Sequence, residues 1–197
     1  MTSGQPAAAL ETRPVSPGRL GDLDAVFSAR GCSVAKGCYC MYYRATHAQY
    51  RELGRAKAVR DAMRALVEGG EVTGLIGYLD GEPVGWVSLG PREAYRRLET
   101  SKIMAPVDGE PVWSVVCFVV PSAHRGKGLA AALLRAAVDH ARRQGARWLE
   151  AYPVDLEAAP GQTQLWFGTA GMYRDQGFVE VARRKPGRPV MRLRLQP

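Results

Sequence analysis

No window of the 197-residue chain comes near the about eighteen consecutive apolar residues that a membrane-spanning helix needs, so no membrane span is expected. The opening MTSGQPAAALETRPVSP has neither a basic start nor an apolar core and does not read as a secretory leader, which makes the cytoplasm the expected location. Histidine is scarce, with only His47, His124 and His140. The four cysteines, Cys32, Cys38, Cys40 and Cys117, do not suit a disulfide framework in that compartment. Three of them crowd into CSVAKGCYC, but the spacing is not CxxC and no fourth ligand is evident, so no metal site is expected. Read as a strand, Cys38 and Cys40 would share one face as small buried side chains. Internal repeats and low-complexity linkers are absent too, which predicts a single domain over 1–197 with residues 1–9 a mobile N-terminus. Acidic residues are in the minority, 19 against 27 lysines and arginines, and the net charge of +8 invites an anionic partner. The arginines are dispersed, with concentrations at 92–97, 142–147 and 183–194 that read as solvated faces. A phosphate-bearing cofactor therefore fits better than nucleic acid, which is not expected as a partner.

What is present is a run of alternating elements. Residues 10–16 suggest a short strand, and GRLGDLDAVFSAR carries Leu20, Leu23, Val26 and Phe27 at helical spacing. A longer helix is predicted over 46–68, with Tyr50, Leu53, Ala56, Val59, Met63, Leu66 and Val67 on one stripe and Gly69-Gly70 ending it. VTGLIGYL and EPVGWVSLG flank Asp80-Gly81, a strong hairpin signal. VWSVVCFVV at 112–120 is almost wholly apolar and reads as a central strand covered on both faces. A helix over 128–143, the strand ARWLEAYPV, a helix through TQLWFGTAGMYRDQG and the antiparallel pair FVEVARR and PVMRLRL complete the order. The expectation is an α/β (mixed α+β) fold, a three-layer arrangement with a mixed sheet of about six or seven strands and helices on both faces. The strand–helix–strand unit from 112 to 153 should make its two strands parallel neighbours.

Between that central strand and its helix lies Arg125-Gly126-Lys127-Gly128. A helix N-terminus offers unpaired N–H groups and a positive dipole end, and glycines let an anion approach them without Cβ interference. The turn is not a P-loop, because GxxxxGK[ST] is missing, and GxGxxG is missing as well. On its own it reads equally as a phosphate cradle or as a glycine-softened turn with incidental basic residues.

Arg125-Gly126-Lys127-Gly128-Leu129-Ala130 resembles the R/Q-x-x-G-x-G/A motif of the GNAT superfamily of acetyl-CoA-dependent N-acetyltransferases, in a bacterial-type form. Downstream, Met172-Tyr173-Arg174-Asp175-Gln176-Gly177-Phe178 resembles that family's LYxxxGF helix end, and the element order matches over about residues 10–195. The resemblance implies acetyl-CoA as cosubstrate, its pyrophosphate on residues 125–130 and its pantetheine along Phe118, Val119 and Val120. It implies Tyr173 as the acid for the departing thiolate, with a backbone N–H near Val119 or Val120 as donor to the thioester carbonyl. One position departs from the pattern: the asparagine often found seven residues before the tyrosine is Trp166 here. Gly168 and Gly171, each costing about 1 kcal/mol relative to alanine inside a helix, suggest that something packs closely on that helix face.

The base is harder to read. The 112–120 strand carries no carboxylate, so Glu150 in WLEAY is the first candidate, although a buried carboxylate satisfied by an arginine is an equal reading. Water is another route for the proton, and Asp108, Glu110 and Glu93 are weaker candidates. Cys117 lacks His or Asp partners that would make it a nucleophile. The implied function is acetyl transfer to a primary amine by direct attack in a ternary complex, first of all on a small molecule. A protein lysine or N-terminus, or a non-catalytic acyl-CoA-binding regulatory module, is the alternative. The CYC region and the 91–103 loop fall where such folds build acceptor pockets, with Trp86, Tyr95, Trp113, Tyr152 and Trp166 as lining or core aromatics. The chain is expected to act as a monomer or homodimer.

Overall fold

A computed structural model describes residues 10–196, so the expected mobile segment 1–9 lies outside the described residues. Seven strands form one mixed sheet: β1 (Glu11–Pro14), β2 (Gly74–Leu79), β3 (Glu82–Pro91), β4 (Trp113–Val119), β5 (Trp148–Ala151), β6 (Val179–Lys185) and β7 (Arg188–Arg194). Their spatial order is β1-β2-β3-β4-β5-β7-β6, which puts the apolar β4 in the middle. All pairs are antiparallel except β4 with β5. The β2–β3 turn is at Asp80-Gly81, both left-handed with φ of 50° and 83°.

Eight helices cover the sheet: α1 (Leu20–Ser28), α2 (Ser33–Cys38), α3 (Met41–Arg44), α4 (His47–Leu53), α5 (Ala56–Glu68), α6 (Arg96–Glu99), α7 (Leu129–Arg143) and α8 (Ala170–Arg174). Alternation along the strands divides two cores. Leu75, Val87, Leu89 and Val115 face α7 through Leu133, Leu134 and Ala137. Their neighbours Ile76, Tyr78 and Trp86 face α1 and α5 through Leu23, Val26, Phe27, Val59 and Met63. This is the expected three-layer arrangement.

Three local expectations are corrected. The 46–68 helix is broken into α4 and α5, because Gly54 adopts φ 62° and Arg55 is extended. The CYC segment is not a strand: Cys38 ends α2, and Tyr39 and Cys40 turn left-handed at φ 41° and 55°. The helix through TQLWFGTAGMYRDQG shrinks to α8, started by the Thr169 side chain accepting from the Met172 amide. Gly168 lies outside that helix at φ 77°, where a Cβ would meet the Met172 side chain at 2.4 Å. Gly171 is helical and faces open space, so the close packing expected on that face is absent there.

Gly74, by contrast, is glycine because the core leaves no room. A Cβ there would lie 2.2 Å from the Trp86 ring. Gly74→Ala should therefore lower unfolding free energy by about 1–3 kcal/mol through overpacking, as measured by urea denaturation.

Candidate functional site

The β4–α7 connection brings together most of the residues that the sequence singles out. After Val119 and Val120 the chain makes a tight turn over Ser122–His124, and Gly126 and Gly128 then take φ values of 72° and 76°. Only glycine adopts that backbone without strain. A Cβ at either would meet nothing within 4 Å, so the two glycines front open space. Gly128 caps α7, a 15-residue helix with no side-chain cap at its start. The first-turn N–H groups and the dipole's positive end therefore face outward beside the exposed Lys127. Leu129 is buried and Ala130 packs against the α7 core, so these two offer backbone rather than side chain.

Arg125 does something different from the expected phosphate contact. Its Nε donates to the Val120 carbonyl at 2.9 Å and its Nη2 to the Gly31 carbonyl at 2.7 Å. Ser122 binds the neighbouring Arg30 carbonyl through its amide and its hydroxyl, both at 3.0 Å. Arg125 thus braces the glycine turn against the α1–α2 loop.

The parallel β4–β5 pairing spans only Trp113–Val115 against Leu149–Ala151. Beyond it β4 continues alone on that side, and the strands splay. Val119 is in register with Trp86 of β3. Because peptide groups alternate in direction along a strand, Phe118 faces the splay instead, and its amide donates to the Trp166 carbonyl at 2.7 Å. Trp166 stands at the position where the resemblance led to an asparagine side chain, and here it contributes its main chain. The amide of this stretch that points toward the splay is thus that of Phe118, not of Val119.

Tyr173 of α8 is completely buried, packed edge-on to Phe178 with centroids 4.9 Å apart. Its hydroxyl has no hydrogen-bond partner among the described residues. Leaving a buried hydroxyl unpaired costs about 1–3 kcal/mol. Burial, and after it the nearby Cys117, holds the phenol far above its ordinary range, so it stays protonated. Cys117 is itself pushed up, first by sharing a hydrogen bond with the Cys40 thiol and then by burial.

Glu150 lies elsewhere and is corrected. It is fully buried, and its Oε1 accepts from Arg92 Nη1 at 2.9 Å and from the Tyr152 hydroxyl at 2.6 Å. Its Oε2 accepts from Arg192 Nε at 2.7 Å. Glu150 is in register with Ser114, four residues before Phe118, or about 13 Å down the strand at about 3.3 Å per residue. A carboxylate held by two guanidiniums at that distance is a structural ion pair, not a base at the splay. Asp108 is held by Arg192 at 2.6 Å, which keeps its carboxyl below the usual range, and Glu110 stands 3.7 Å from Arg147. Glu93 lines a cavity bounded by α3, α4 and α5. The arginine partners of Glu150 are 58 and 42 residues away in sequence, and nothing local announces them. Of the expected lining aromatics, Trp86, Tyr95 and Tyr152 are core residues, while Trp113 and Trp166 are half-buried. Among the described residues no group of three His, Cys, Asp or Glu is arranged to hold a metal ion, and no helix is long and apolar enough to cross a membrane.

The sequence profile described as "Acetyltransferase (GNAT) family" matches residues 36–162. Solved structures share the fold at low identity. A GNAT family N-acetyltransferase from Escherichia coli, in complex with CoA, is 21% identical with a TM-score of 0.55, covering 98% of this chain and 86% of its own. The PaiA N-acetyltransferase from Thermoplasma acidophilum, in complex with coenzyme A, is 12% identical with a TM-score of 0.52, covering 94% and 99%. An acetyltransferase from Thermus thermophilus is 17% identical with a TM-score of 0.54, covering 96% and 99%. No curated protein matches the sequence.

Removing one partner from a buried ion cluster leaves uncompensated charge. Glu150→Gln should thus cost about 3–5 kcal/mol of stability in urea melts, while the folded fraction keeps its affinity for CoA. Wild-type stability combined with lost turnover would instead return Glu150 to the chemistry.

Proposed function

We propose a specific chemistry for this chain, which belongs to the acetyltransferase (GNAT) family and is an acyltransferase: it moves the acetyl group of acetyl-CoA to a primary amine of a small molecule, by direct attack in a ternary complex. The observation that carries this reading is the fully buried Tyr173 hydroxyl without a partner, in a fold whose β4–β5 splay and open α7 N-terminus suit CoA. The fit is chemical. The first-turn amides of α7, fronted by Gly126 and Gly128, suit the pyrophosphate, and Lys127 adds charge. Leu129 and Ala130 present their amides in that same turn.

Acetyl-CoA supplies an activated thioester, and the residues of this chain do the rest. Phe118 offers the amide that faces the splay, suited to polarising the thioester oxygen once the Trp166 carbonyl gives way. Val119 stays in the sheet against Trp86 and holds Phe118 in that orientation. Val120 is fixed by Arg125 at the mouth of the turn. Tyr173 keeps its proton at neutral pH and can donate it to the departing thiolate, taking one back from water as the products leave. No carboxylate of β4 faces the splay, so the proton of the attacking amine leaves to water. An amine with a pKa of about 10.4 must shed it before attack.

Acetyl-CoA should raise the melting temperature more than matched inorganic phosphate does; equal shifts would remove the cofactor assignment. In a thiol-release assay across amines, Tyr173→Phe should lower kcat by at least about tenfold with little change in CoA affinity, and unchanged turnover would take the tyrosine out of the reaction. The pH dependence has a definite sign. Turnover should climb with pH as the amine deprotonates, with no falling limb from Tyr173 below its ordinary value of about 10, because its folded-state pKa is raised.

A further inference from the structure

Arg44 of α3 is as buried as the two arginines that hold Glu150: the exposures are 7% for Arg44, 7% for Arg92 and 5% for Arg192. Unlike them it has no carboxylate partner among the described residues. Its Nη2 makes one long contact, 3.4 Å to the Tyr95 hydroxyl, and its guanidinium stacks over the Tyr95 ring at 4.7 Å. Its Nε has no partner, as is also true of Arg92 and Arg97, so the missing carboxylate is what sets Arg44 apart from Arg92. A desolvated cation without a counter-charge is costly, and an anion bound beside it would offset that cost. Arg97, the other buried arginine without a carboxylate, differs because it is packed 3.8 Å over Tyr42 and bound to the His47 ring.

Arg44 lines a cavity of about 630 Å³ bounded by α3, α4, α5 and the start of the 92–99 segment. Met41, Leu53 and Leu66 make its apolar wall; Gln49 and Arg96 add donors, and Glu52, Glu71 and Glu93 stand around it without a cationic partner among the described residues. Walls of both signs with a buried guanidinium suit a zwitterion.

The cavity is coupled to the reaction centre. Tyr95, under Arg44, meets Ser88 at 3.1 Å, and Ser88 is in register with Cys117, the residue before Phe118. On the other side Arg44 follows the left-handed turn that carries Cys40 to the Cys117 thiol. Arg44 is thus two hydrogen bonds and one strand spacing from the backbone that faces the thioester.

We propose that this cavity takes the acceptor and that Arg44 selects an amine that also carries a carboxylate, an amino acid or its close analogue, by forked hydrogen bonding to the carboxylate. The proposal rests on the acetyltransferase reading and names its substrate class. It is tested by calorimetric binding of amino acids beside their decarboxylated amines, such as lysine with cadaverine and phenylalanine with phenethylamine, to free and CoA-loaded protein. The carboxylate-bearing member of a pair should bind at least about tenfold tighter. Arg44→Gln should abolish that preference, and Arg44→Lys should keep only part of it. Equal binding within each pair, no binding by any carboxylate tested, or a preference surviving Arg44→Gln overturns the assignment. The wild-type comparison decides even if a variant fails to fold. Thiol release in the same panel reports separately on the acetyltransferase reading: discrimination in binding without any release would leave the carboxylate site standing and remove the reaction.

Discussion

The short parallel pairing of β4 with β5 is the constraint around which this molecule is arranged. Three residue pairs join the strands, and then the central strand goes on with one side unpaired. A buried backbone amide does not go unsatisfied without a penalty of order 1–3 kcal/mol, so the open edge of β4 dictates what must lie beside it. The 162–169 segment answers by threading past as a loop, its Trp166 carbonyl on the Phe118 amide and its Gly168 carbonyl accepting from Val154. That route forces Gly168 into the left-handed region and delivers the chain to Thr169, which starts α8 and sets Tyr173 into the core. The open β4 edge, the left-handed Gly168 and the placing of Tyr173 therefore go together.

What keeps the strands together below the splay is electrostatic. Arg92 from the end of β3, Glu150 from β5 and Arg192 from β7 meet in one buried cluster, and Arg92 also binds the Leu98 and Met104 carbonyls at 3.1 and 2.6 Å. The cluster ties three strands and the 98–108 loop, so that the sheet opens at one end only. A pair of hydrophobic side chains could bury as much area there, but could not also saturate loop carbonyls.

Much of this was legible because glycines and periodicity speak locally. Asp80-Gly81, Gly69-Gly70 and the apolar β4 reported their own conformations, and RGKG with MYRDQGF marked both sides of the site. The failures share a cause. Tyr39 and Cys40 turn left-handed without glycine because α2 and α3 pack against α5 and α6, a tertiary demand with no composition signal. TQLWFGT has helical-looking content, yet its backbone is claimed by a strand more than forty residues earlier. Glu150 read ambiguously because a carboxylate in an apolar strand looks the same whether it is a base or an ion-pair partner. Only the distant Arg92 and Arg192 decide between the two.

The same logic, applied to cations, separates Arg92 from Arg44. Both are arginines buried to the same degree beside a tyrosine, and both lie near the start of the 92–99 segment in space. Burial alone says nothing about role. Arg92 has its charge balanced by Glu150 and its Nη2 on two loop carbonyls, so it belongs to the scaffold. Arg44 has neither, and it borders the cavity between α3, α4 and α5. A guanidinium with its counter-charge inside the protein closes a structure, whereas one without it leaves a vacancy of defined sign and shape. Tyr173 packs in the core that α7 covers and Arg44 over Tyr95 in another, so on the proposed assignment the acceptor's carboxylate and the departing thiolate are met from different cores of the sheet.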